Sequence, residues 1–123
     1  MKVLIVDADV RFLTAVKVFI EKHSNGAHRV HVVSDESQAH QYIVSNQDVE
    51  LAIVNPMLAG SSNGLCFLLS LKVATHLRVL RKWMLVEKTF PETESVATMV
   101  GAHLVVEKKS LDELLLETIC KDP

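Results

Sequence analysis

The sequence predicts one α/β domain in which five short strands alternate with five helices, the strands forming a parallel sheet with helices on both faces. Three observations predict it. Short apolar runs rich in β-branched residues, such as Val3-Leu4-Ile5-Val6 and Leu51-Ala52-Ile53-Val54, have the character of strands buried on both sides. Between such runs lie amphipathic stretches with a helical period. The 123 residues are 49% apolar and 23% charged, which suits a single globular domain over residues 1–123 and excludes disordered and fibrous classes.

Each element follows from a local pattern. The first strand is Val3 to Val6, and Phe12, Ala15, Val16, Phe19 and Ile20 then recur at helical spacing until Asn25-Gly26 stops the helix. Val30, Val32 and Val33 mark a second strand, and the interleaved His28, Arg29 and His31 suit a sheet edge. Ser34-Asp35 supplies caps for a helix carrying Ala39, Tyr42 and Ile43. The third strand, Leu51 to Val54, stops at Asn55-Pro56, and a loop rich in Gly, Ser and Asn leads into a helix begun by Leu65, Leu68 and Leu69. Trp83 to Val86 is the fourth strand, with Trp83 a packing residue. The fourth helix runs from Pro91 to Val100, with Pro91 in its first turn and Val96, Met99 and Val100 inward. Leu104 to Val106 is the fifth strand. Ser110 and Glu113 form a capping-box pattern for a last helix whose stripe is Leu111, Leu114, Leu115, Thr118 and Ile119.

Composition narrows function. Thirteen basic and fifteen acidic side chains leave a net charge of −2, unlike a general binder of nucleic acid or anionic membrane. No apolar run approaches the roughly 18 residues of a spanning helix, and MKVLIVD is too short for a signal peptide. Met1 directly before the first strand reads as a true N-terminus, whereas Asp122-Pro123 can begin a linker. Cys66 and Cys120 are too few for a disulfide scaffold and read as buried or half-buried apolar residues of a cytoplasmic protein. His28, His31 and His40 lack metal-ligand spacing. Arg78, Arg81 and Lys82, with His76, read as a solvated basic turn, and Ser61-Ser62 as turn residues.

Sites in open parallel sheets lie beyond the carboxyl ends of the strands. The turn after the first strand, Asp7-Ala8-Asp9-Val10-Arg11, has no glycine to let a phosphate approach the backbone, so nucleotide-binding loops are excluded. VLIVDAD, the strand ending at Asn55 with PMLAG and NGLCFLL after it, and GAHLVVEKKSLDELL together resemble the receiver domain of two-component response regulators. The resemblance covers essentially the whole chain. It implies a flavodoxin-like three-layer sandwich, (βα)5, with strand order 2-1-3-4-5, and third and fifth helices on opposite faces, too far apart for a Cys66–Cys120 bridge.

Carried over position by position, the resemblance implies a degenerate site. Asp7 matches the first of two Mg²⁺-holding acids, but Ala8 stands at the second. Asn55 stands at the phospho-accepting aspartate, Val86 at the switch Ser or Thr, and Val105 at the switch aromatic. Lys108 matches the retained lysine, and Lys109 stands where a proline normally follows. An amide is a far poorer nucleophile than a carboxylate, and one acid holds Mg²⁺ poorly. The expectation is a pseudo-receiver: no enzyme, no metal, no cofactor, and phosphorylation-independent recognition of a signalling protein or of a second copy. The family implies docking through the fourth helix, fifth strand and fifth helix, here Pro91 to Val100 and Leu104 to Cys120. Two alternatives stand beside it: an atypical phosphotransfer component using Asp7 or Asp9 beside Lys108, and the N-terminal regulatory module of a longer response regulator or kinase.

Around that site, Asp9 reads as a helix cap rather than a metal ligand, and Glu87 as an exposed loop acid rather than a replacement carboxylate. Lys108 is expected within salt-bridge reach of Asp7, or donating to the Asn55 amide oxygen.

Overall fold

The computed structural model describes residues 1–58, 63–73 and 80–120, with only the backbone at 119 and 120. Among these residues the elements are β1 (Lys2–Val6), α1 (Val10–His23), β2 (Arg29–Val33), α2 (Glu36–Ser45) and β3 (Leu51–Val54). They continue with α3 (Gly64–Val73), β4 (Arg81–Val86), α4 (Thr93–Met99), β5 (Leu104–Glu107) and α5 (Leu111–Cys120), the last entered through a 3-10 turn, Lys108–Ser110. Neighbouring strands all pair in parallel, in the order β2-β1-β3-β4-β5, so the α/β class and the 2-1-3-4-5 order are both found.

Alternation along the strands makes two cores. Leu4, Val6, Ala52, Val54 and Met84 face one side and pack against Ala39 and Ile43 of α2, Phe67, Leu68 and Leu71 of α3, and Ala97 of α4. Val3, Ile5, Ile53, Trp83, Leu85 and Val106 face the other, against Leu13, Val16 and Ile20 of α1 and Leu111 and Leu115 of α5. Helices α3 and α5 thus lie on opposite faces. Fully burying each of these larger side chains is worth about 1.5–3 kcal/mol. The edge strand β2 carries His31 stacked on Tyr42 of α2, with ring centroids 3.8 Å apart.

Register brings the strand ends together. Val6 pairs with Val54, so Asp7 and Asn55 leave the sheet side by side. Val86 pairs with Glu107, which puts Lys108 just beyond the same sheet end. Gly64, opening α3, presses against the end of β3: a Cβ there would overlap the carbonyl oxygen of Asn55. The turn after α1 contains Asn25 and Gly26 with φ of 53° and 77°, a left-handed pair that ends the helix.

Several local expectations are corrected. In α1, Leu13 is buried and Ala15 exposed. In α3 the inward residues are Phe67, Leu68 and Leu71, while Leu69 and Cys66 are exposed. In α4 Thr93 and Ala97 face inward with Val100 beyond them, Met99 is 67% exposed, and Pro91 stays in the preceding turn. Helical phase is set by how each helix seats on the sheet, and a short helix with few apolar residues has several phases open to it. Strand β4 starts earlier than expected, because Arg81 and Lys82 pair with Leu51 and Ala52 of β3. Arg81 N–H also donates to the Glu50 carbonyl at 3.0 Å. Backbone pairing prevails there, and long basic side chains can leave a sheet at a strand start. Ser110 belongs to the 3-10 turn rather than standing as a free cap. Ser61, Ser62, His76 and Arg78, and the side chain of Cys120, lie outside the described residues.

Candidate functional site

The site is built around Asp7, buried to 1% exposure at the end of β1. A buried carboxylate is costly unless it is paired and hydrogen-bonded. Here its oxygens are fully engaged. Oδ1 accepts from the Asp9 backbone N–H at 2.8 Å, Oδ2 accepts from the Asn55 side-chain NH₂ at 3.0 Å, and the Lys108 ammonium stands 2.9 Å from each. Four interactions meet the roughly four lone-pair sites of a carboxylate. The expected Lys108–Asp7 contact is therefore present.

Asn55 does not accept from Lys108. Its oxygen accepts from the Met57 backbone N–H at 2.8 Å, and its NH₂ points at Asp7. A donor on one side and an anion on the other leave a single sensible amide orientation. The same residue is anchored through its backbone, whose N–H donates to the Val6 carbonyl at 2.9 Å.

Lys108 is largely buried, at 13% side-chain exposure, and has more partners than expected. Glu87 is exposed, but its carboxylate reaches the Lys108 ammonium at 3.0 Å, so it is an ion-pair partner and not simply a loop acid. The ammonium also lies 4.8 Å from the centre of the Phe12 ring, an arrangement of cation–π type. Burial is the largest single influence on Lys108 and opposes its charge, but hydrogen bonds and charge from Asp7 and Glu87 outweigh it and raise the pKa above the usual lysine value. Lys109 points outward and reaches Glu107 at 3.6 Å.

The remaining positions are placed as follows. Asp9 caps α1, accepting from the Arg11 and Phe12 N–H groups at 3.1 and 3.2 Å. Ala8 is exposed beside it. Val86 and Val105 are half-buried against the core under α2, α3 and α4. They offer neither a hydroxyl nor a ring.

Among the described residues no group of three His, Cys, Asp or Glu could hold a metal ion. His28 Nδ1 lies 2.9 Å from the N-terminal amine, and His40 packs edge-on to Phe67 at 5.0 Å. Burial first, with the N-terminal charge, pushes the pKa of His28 down; burial, with Lys17 and Lys2, does the same for His31.

Sequence reading missed the approach of Phe12 to Lys108 and the engagement of Glu87. Each had a signal: Phe12 lies in the first turn of α1, just past the end of β1, and Glu87 follows a strand end directly.

No protein-family model matches the chain, and no curated protein matches it in sequence. Solved structures do match its shape. The chemotaxis response regulator CheY4 of Vibrio cholerae is 21% identical with a TM-score of 0.82, covering 98% of this chain and 96% of that one. The signal receiver domain of a DNA-binding response regulator from Colwellia psychrerythraea is 16% identical with a TM-score of 0.85, again over 98% and 96%. The BeF3-activated receiver domain of RstA from Klebsiella pneumoniae is 18% identical with a TM-score of 0.80, over 98% and 97%. With its strand order, its paired cores and the clustering of Asp7, Asn55 and Lys108 past the sheet end, the chain has the CheY-like response-regulator receiver fold.

Proposed function

We propose that residues 1–123 form one signalling interaction module, a pseudo-receiver that works without phosphorylation and without a resident metal. The observation that carries this reading is the closed polar cluster in which Asn55, Lys108 and the Asp9 N–H all converge on Asp7. Asp7, the one buried acid among the described residues, has its lone pairs taken by Asp9 N–H, Asn55 and Lys108, so it offers none to Mg²⁺. The residue beside it is an amide, which is no acceptor for a phosphoryl group. Val86 and Val105 have no group to follow a phosphate. Asp9, the second acceptor the phosphotransfer alternative named, uses its carboxylate to cap α1, which speaks against that alternative.

The partner is a signalling protein, and the face proposed for it is α4-β5-α5. Two large apolar side chains stand in solvent there, Met99 on α4 and Leu104 on β5. Incubation with acetyl phosphate and Mg²⁺, followed by intact-mass measurement, tests the central claim. No mass gain is expected, and a phosphorylated species would overturn it. Met99→Glu with Leu104→Glu, compared with the parent by sedimentation, tests whether a second copy uses this face.

A further inference from the structure

Beside the closed polar cluster lies an open apolar cleft of about 310 Å³, between the turn after β3 and the turn after β4. Pro56, Met57, Val86 and Phe90 supply its apolar wall. Met57 and Phe90 stand 79% and 53% exposed. Two large apolar side chains held in water around one cleft favour an apolar occupant.

The polar groups nearby are already engaged. Both ends of the Asn55 amide are hydrogen-bonded, and the lining residue Glu87 is paired with Lys108. Lys88, also part of the lining, differs: its ammonium lies 5.9 Å from the centre of the Phe90 ring and has no acid partner among the described residues. The cleft thus combines an apolar wall with one cation whose charge is not neutralised.

We propose that this cleft binds a small carboxylate with an aromatic or branched apolar body, the body lying by Met57, Val86 and Phe90 and the carboxylate on Lys88. The volume is at the lower end of small-ligand clefts, enough for one ring and a short chain. A neutral polar head would leave the Lys88 charge unused. A peptide crossing the cleft would bring backbone N–H and C=O groups against Met57 and Phe90 side chains, which give no hydrogen bond in return. Binding here involves no bond making or breaking, and does not depend on a protein docked at α4-β5-α5.

The test titrates 3-phenylpropionate into ¹⁵N-labelled chain of residues 1–123, with 3-phenylpropanol as the uncharged control. Saturable shifts are expected at the amides of Met57, Val86, Lys88 and Phe90, with the alcohol binding up to about fivefold more weakly, the size of an exposed ion pair. Lys88→Met should bring acid and alcohol to equal affinity, and Phe90→Ala should weaken both. Both side chains are exposed, and unchanged amide shifts in the central strands would confirm that the variants fold. Absence of saturable shifts at these four amides, shifts centred instead on a second groove, lined by His31, Gln38, Tyr42 and Asn46 between β2 and α2, or equal affinity of acid and alcohol for the parent protein would each overturn the proposal.

Discussion

Two adjoining parts of the strand-end surface solve opposite problems. Around Asp7 the chain places charge in a nearly dry site and then closes it with Lys108, Asn55 and a backbone N–H. Around Val86 it places apolar side chains in water and leaves them open. The first arrangement satisfies itself and so has little to offer a ligand. The second has apolar surface to bury and, in Lys88, a cation with no acid partner among the described residues, and so has something to gain from one. A polar cluster at a strand end is therefore not by itself the place to expect chemistry. Saturation of its lone pairs matters more than the identity of its residues.

The sharpest way to break this contrast is to open the polar cluster. Lys108→Met leaves Asp7 buried without its cation. Loss of one side of a buried pair costs about 3–5 kcal/mol, whereas Lys109→Met on the outward side should change stability by less than about 0.5 kcal/mol. Urea denaturation at neutral pH compares them, and equal midpoints would show that the Lys108–Asp7 contact contributes nothing to stability. Gly64→Ala should be next in size. Its new Cβ must displace the Asn55 carbonyl, and such overpacking costs about 1–3 kcal/mol. The same variant should shift the Asn55 side-chain amide resonance, because the displaced backbone belongs to the residue whose NH₂ donates to Asp7. Asp9→Ala removes the cap of α1 and should cost about 1 kcal/mol, read by thermal melting, without affecting the apolar cleft.

The smallest effect is confined to alkaline solution. The Lys108 pKa is raised in the folded state, so the stability it adds is fully present below the unfolded lysine value of about 10.4. It is lost as pH rises through the higher folded value. The stability gap between the parent and Lys108→Met should accordingly be constant from neutral pH to about pH 10 and narrow above it. A gap that narrows near neutral pH instead would mean that Lys108 is not held charged by Asp7 and Glu87.

Much of the architecture is legible along the chain because the information is local. Val3 to Val6 and Leu51 to Val54 are apolar on both faces, which only a central strand in a layered fold can accommodate. Asp9 and Asp35 sit where a helix needs an acceptor for its free N–H groups, and both cap. The candidate site is legible in part for the same reason: strands of known direction bring Asp7, Asn55 and Lys108 to one end of the sheet, whatever their side chains do there. Their orientation is not legible. Whether the Asn55 amide turns to Asp7 or to Lys108 depends on the Met57 N–H that takes its oxygen. Whether Glu87 hangs in solvent or pairs depends on a lysine on another strand. Met99 and Cys66 face outward although their residue types suit a core, because helical phase comes from docking against the sheet. Arg81 and Lys82 become strand because β3 offers them a ladder. Backbone periodicity is written over a few residues and can be read there, whereas hydrogen-bond direction and helix rotation follow from partners distant in sequence, present only once the chain has folded.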